Sequence, residues 1–178
     1  MSSSTETTAG QPLRGRRSCV PTALVVVHLS SLDAYAWHAS EYGQTDRAPR
    51  LGSTLARAIA EHDGPVVVVD QQWSLRTPFA AARRLVLEAI DARPGVVTIR
   101  FDEATDSWRR FLPRLRVALE KAGVSRVHVG GLWREMPGQG GCVTRVARYL
   151  QRTFQVWVDS SITGDMYDFG SDDERGSA

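Results

Sequence analysis

The sequence predicts an α/β domain, three layers deep (α/β/α), around a mainly parallel sheet of five or more strands. Three observations predict it. Short valine-rich runs alternate with helical patterns along the chain. Several of these runs are nearly continuous in β-branched residues, as strands covered on both faces are. The length of 178 residues suits one domain with a sizeable core of its own.

Taken in order, residues 1–18 are rich in Ser, Thr, Gly and Arg and read as a disordered arm. The domain then spans residues 19–165. Its first apolar run is Ala23-Leu-Val-Val-Val-His28. Arg14, Arg16 and Arg17 precede this stretch, and Ala34-Tyr35-Ala36 has the small-residue pattern of a cleavage site. The valine content, which recurs in later runs, assigns the stretch to a buried strand rather than a leader. Ser30 to Arg50 is long for a plain loop and carries Tyr35, Trp37, His38 and Tyr42, so a short helix or a lid is expected there. Leu51, Leu55, Ala56 and Ile59 share a helix face that ends before Gly64 and Pro65.

The second run is Pro65-Val-Val-Val-Val-Asp70. Thr77-Pro78 is a helix N-cap and first-turn pair, and Phe79, Ala82, Leu85, Val86, Ala89 and Ile90 follow with helical spacing. The third run is Val96-Val-Thr-Ile-Arg-Phe101. The next helix carries Trp108, Phe111, Leu112, Leu115, Ala118 and Leu119, with Gly123 as its C-cap. Pro113 implies either a kink or a start near Leu112. Arg126-Val-His-Val-Gly130 and Phe154-Gln-Val-Trp-Val-Asp159 alternate more and are expected nearer the sheet edges. A helix with Val143, Val146, Ala147 and Leu150 lies between them. Residues 166–178 form a polar tail. The alternation implies right-handed crossovers, helices on both sheet faces and a Rossmann-like sandwich.

Composition narrows the function. The net charge of +2 is too small to imply a nucleic-acid or membrane partner. Of 22 basic residues, all but Lys121 are arginine. Cys19 and Cys142 are too few and too far apart for a disulfide framework, which points to a reducing, cytoplasmic setting. The expected partner is a small-molecule substrate.

Ligands of open α/β sheets bind beyond the carboxyl ends of the strands, where strand order reverses. The polar residues at those ends are His28, Ser30 and Ser31, then Asp70, Gln71 and Gln72, then Arg100 and Asp102, and Asp159. The fourth run leads into Gly130-Gly-Leu-Trp-Arg-Glu-Met-Pro-Gly-Gln-Gly-Gly-Cys142. Gly138, Gly140 and Gly141 admit close approach of backbone to a ligand. Cys142 opens a helix, a position that favours the nucleophilic thiolate. Asp70, Gln72, Trp73, Trp133, Gly140 and Gly141 are the candidate substrate contacts.

From Pro94 to Asp159 the chain resembles the isochorismatase-like cysteine hydrolases, which include nicotinamidases. The likeness rests on a strand ending in a basic residue, on Val127-His-Val-Gly-Gly, on Cys142-Val143 opening a helix, and on Gln155-Val-Trp-Val-Asp159. Leu24-Val-Val-Val-His-Leu-Ser-Ser resembles the family's opening strand. The resemblance implies a nucleophile at Cys142, with His28 where the family has its aspartate base and Arg100 where it has lysine. Asp70 falls at a metal-binding aspartate of nicotinamidases, but Gln72 replaces a histidine, so neither metal nor cofactor is expected. The family commonly self-associates, which implies a homo-oligomer.

Two functions are open on this reading. One is a divergent hydrolase of a small amide or related carbonyl compound through the Cys142 thiolate, His28 acting as base and Arg100 as electrostatic support. Backbone N–H groups near Gly141 and Cys142 would form its oxyanion hole. The other is an inactive relative serving as a binding or assembly module, with Trp133 and Met136 facing a partner. A phosphatase reading from Cys142 and Arg148 fails, because the residues between them lack glycine and read as helix.

Overall fold

The computed structural model describes residues 21–71, 81–101, 108–136 and 139–165. The arm before Cys19, the tail after residue 165, and Gln72, Trp73, Thr77-Pro78, Asp102 and Gly138 lie outside the described residues.

Strand β1 (Thr22–Val27) is followed by a single 3-10 turn (Leu29–Ser31), α1 (Leu32–Glu41) and α2 (Arg47–Glu61). Then come β2 (Val66–Gln71), α3 (Ala81–Ala92), β3 (Val97–Phe101), α4 (Trp108–Lys121) and β4 (Arg126–Leu132). Two short strands, β5 (Glu135–Met136) and β6 (Gln139–Gly140), precede α5 (Cys142–Leu150) and β7 (Gln155–Gly164).

The main sheet has the order β3-β2-β1-β4-β7, and all its pairings are parallel. β1 is thus central. Its run of valines is buried on both faces, so residues 23–27 form the buried strand expected there, while His28 lies just beyond its end. Alternation along β1 sorts the core into two halves. Ala23, Val25 and Val27 pack with Phe111, Leu115 and Leu119 of α4 and Val143, Val146 and Leu150 of α5. Leu24 and Val26 pack with Leu32 and Tyr35 of α1, Leu55 and Ile59 of α2, and Ala82 and Val86 of α3. The three-layer expectation is met.

Three details correct the sequence reading. Of the two strands expected nearer an edge, β7 is an edge and β4 lies inside it, beside β1, while the β-branched run of β3 forms the other edge. Val97 on β3 is 47% exposed, as is Trp157 on β7. Half-polar residues on β4 are accommodated by neighbours, as where the His128 ring meets Trp157 edge-on at 5.6 Å. Secondly, of the two alternatives for Pro113, the start near Leu112 is the one that fails. α4 begins at Trp108, and Pro113 lies in its second turn. The proline forfeits one bond, to the Arg109 carbonyl, while buried Phe111, Leu112 and Leu115 hold the helix to the sheet. Thirdly, β7 runs beyond Asp159 to Gly164, with a bulge opposite Val129 and Gly131. Asp159 stays in that bulge, its Oδ1 accepting from the Ser161 N–H and Oγ at 2.9 and 2.6 Å.

The segment after Ser30 resolves into the 3-10 turn and α1, with Tyr35, Ala36 and Ala39 buried and Trp37 and Tyr42 exposed. Gly123, with φ of 67°, caps α4 as its position implied. At the opposite end of the sheet from the candidate site, His62 Nε2 lies 2.7 Å from the Thr22 carbonyl. Burial pushes the His62 pKa below its ordinary 6.5, against an upward pull from that bond. No helix among the described residues is long and apolar enough to cross a membrane.

Candidate active site

The strand order reverses between β1 and β4, so the crevice beyond their carboxyl ends is the switch point. His28 and the segment from Gly131 to Cys142 converge there.

His28 follows β1 directly. Its backbone is left-handed, φ 58° and ψ 53°, and it is the one non-glycine with positive φ among the described residues. Such a conformation costs about 1–3 kcal/mol and persists where surroundings enforce it. Two bonds enforce it here. The His28 N–H donates to the Val69 carbonyl at 2.7 Å, and its own carbonyl accepts from the Ser31 N–H at 3.0 Å. The side chain is 2% exposed, and its ring stacks on Trp108 with centroids 6.0 Å apart. One residue along, the Ser30 N–H donates to Asp70 Oδ1 at 2.8 Å, joining the ends of β1 and β2.

β4 closes on β1 through Gly131, which pairs with Val27. Its φ is 113°, and a Cβ there would sit 2.1 Å from the Val27 carbonyl oxygen. The next peptide bond but one, Leu132–Trp133, is cis. The chain then makes a small antiparallel hairpin of β5 and β6 before α5. Arg134 ties this segment to the end of β7: its N–H donates to the Gly164 carbonyl, and its guanidinium donates from Nε and Nη2 to Asp165 Oδ2, each at 3.1 Å.

Cys142 is the first residue of α5 and is half-buried, packed against the core on the α4–α5 face. The start of α5 is fastened to the end of β4. The Gly141 N–H donates to the Arg134 carbonyl at 3.1 Å, the Val143 N–H to the Trp133 carbonyl at 3.0 Å, and Thr144 Oγ1 to the Arg134 carbonyl at 2.6 Å. Glycine is required at 141, since a Cβ would fall 2.3 Å from the Trp133 oxygen. Of the N–H groups expected to form an oxyanion hole, that of Gly141 is engaged within the segment.

Cys142 and Trp108 pack against the same α4–α5 core. Trp108 stacks on His28 and lies under the Arg145 guanidinium, 4.8 Å from its ring centroid. Arg145 is one helical turn from Cys142. Trp108 and Arg145 are missing from the sequence-derived site because nothing local marks them. Only the packing of α4 against α5 brings them to the end of β1.

Other predicted members are placed elsewhere. Arg100 is exposed on edge strand β3, in register with Asp70. Its neighbour Ile99 packs into the α4–α5 core, so alternation turns Arg100 to the opposite face from Cys142. Trp133 is core, not substrate wall: it is 8% exposed and packs against Tyr35 and His38 at 5.9 and 6.3 Å, on the α1–α2–α3 side. Gly140 is half-buried beside α5. Asp33 is a buried acid that sequence reasoning passed over. It lies on α1, 3.7 Å from the Arg83 guanidinium of α3, where its spacing shows no motif.

No protein-family model matches the chain, and no curated protein matches it in sequence. Solved structures do. One is the MAR1 ribonuclease from Caenorhabditis elegans, 19% identical, covering 85% of this chain and 68% of that one with a TM-score of 0.53. Another, from Oleispira antarctica, is described as an isochorismatase hydrolase. It is 16% identical and covers 84% of this chain and 78% of that one, also at 0.53. The chain has an isochorismatase-like fold. That fold is the one the Val127-His-Val-Gly-Gly and Cys142-Val143 segments implied. In this isochorismatase-like frame, Cys142 sits where the β4 end hands over to α5, and His28 occupies the end of the central strand.

Proposed function

We propose that the chain is a cysteine hydrolase acting on a small amide or related carbonyl compound. One observation carries the reading: a buried histidine in a left-handed backbone at the end of β1 stacks on Trp108, which packs against the same core as a half-buried thiol on the first turn of α5. The likeness of fold to an isochorismatase hydrolase supports it.

In this scheme His28 accepts the Cys142 thiol proton, and the sulfur attacks the substrate carbonyl carbon. Collapse of the tetrahedral adduct breaks the C–N bond, and His28 returns the proton to the departing amine. Water, deprotonated by His28, then cleaves the thioester and releases the acid. The Trp108 face holds the imidazole in place. Because the Gly141 and Val143 N–H groups are engaged, the developing oxyanion is served by the positive end of α5 and by the Arg145 charge. Arg100, on the other face, has no part in these steps.

The engaged donors also favour a second reading, a non-catalytic binding or assembly module on the same fold. A panel of small primary amides separates the two. The hydrolase reading expects release of ammonia from at least one of them and an acyl adduct on Cys142 by intact mass spectrometry. Absence of both across the panel, with the thiol intact, contradicts it.

A further inference from the structure

We propose that the groove between α4 and α5 binds a small molecule carrying a diphosphate group. It is lined by Leu112 of α4, by Gly140 of β6, and by Arg145, Arg148, Tyr149 and Arg152, and it encloses about 350 Å³. It contains neither Cys142 nor His28 and shares only Arg145 with the hydrolase scheme, so the inference is tested through Arg148 and Arg152.

The arginines are what need explaining. They follow at spacings of three and four, which lays them along one stripe of α5 and the turn after it. Like charges at that spacing destabilise a helix. Arg145 stands in the first turn, where the helix end is already positive. Among the described residues, none of the three has a carboxylate partner and no acidic residue lines the groove. By contrast, Arg116 on the outer part of α4 and Arg134 on the β4–β5 segment each have one. An anion seated in the groove would offset the repulsion that the described residues leave uncompensated.

The shape of the site narrows the anion. Guanidinium groups present paired N–H donors that match phosphate oxygens. Three of them around one cavity suit more than one phosphoryl group. Gly140 adds bare backbone at the wall, where even a Cβ would stand 3.8 Å from Arg148 Nη1. Leu112 and the half-buried Tyr149 ring supply an apolar side for an organic moiety. The volume is that of a small-ligand site.

Titration calorimetry with inorganic pyrophosphate at low salt tests this. Saturable binding is expected, weakening as salt rises. The Arg148→Gln/Arg152→Gln double variant should bind at least about tenfold more weakly, while Cys142→Ala binds as the native chain does. The double variant should also melt no lower than the native chain without ligand, since it relieves repulsion. No heat at millimolar pyrophosphate overturns the proposal, as does equal affinity in the double variant. So does binding of a single-stranded oligonucleotide that pyrophosphate fails to displace, which would make the groove a nucleic-acid surface.

Discussion

Exchanging Cys142 for alanine is expected to lower kcat/KM on any amide the chain hydrolyses by about 10⁴-fold or more. That corresponds to about 5.5 kcal/mol of transition-state stabilisation. The reason is that no other described residue offers a nucleophilic sulfur at the switch point, so the covalent route closes entirely. Stability should change little by comparison, because the side chain is half-buried at a helix start and alanine fits there. The informative partner is His28→Asn. Asparagine tolerates the left-handed backbone that His28 adopts, so the turn into the 3-10 segment is kept. What is lost is the base, and a fall of about 10²–10⁴-fold is expected. Steady-state kinetics on both variants, alongside thermal melts, checks the pair. A His28→Asn chain with native kcat/KM would remove the base from the scheme.

The second large effect is on folding. Gly131→Ala should cost more than about 3 kcal/mol and leave little folded protein. Two penalties combine. The φ of 113° lies in a region that side-chain-bearing residues rarely adopt, and the added Cβ would meet the Val27 oxygen at 2.1 Å and the Val27 nitrogen at 2.6 Å. Neither neighbour can yield, since both belong to the central strand of the sheet. Gly43→Ala is a suitable contrast. Its φ of 69° is also positive, but nothing lies within 4 Å of an added Cβ. Its cost should be the backbone part alone, about 1 kcal/mol. Urea denaturation of the two variants reads the difference directly.

These expectations rest on features that were unequally legible in the sequence. The valine runs of β1 and β2 announced themselves, because burial on both faces excludes polar residues from either parity. The helix faces did so too: Leu51, Leu55 and Ile59 are all buried as their spacing required. Strand order was not legible. β-branched residues report a strand's covering helices, not whether another strand lies beside it, so β3 read as interior while sitting at an edge. Trp133 misled for a related reason. An aromatic residue after a glycine pair reveals nothing of which sheet face it will join. Of the candidate site, Cys142 and His28 were legible as candidates from strand ends and helix starts, which are local signals. Trp108 and Arg145 were not, because their meeting depends on two helices packing side by side.

The central claim, that Cys142 is a nucleophile activated by His28, is tested most directly by its reaction with iodoacetamide near neutral pH. Alkylation at Cys142, followed by peptide mass spectrometry, should outpace that of glutathione under the same conditions by about tenfold or more. It should fall back toward the glutathione rate in His28→Asn. A Cys142 that reacts no faster than glutathione, and at the same rate in both proteins, would contradict the account.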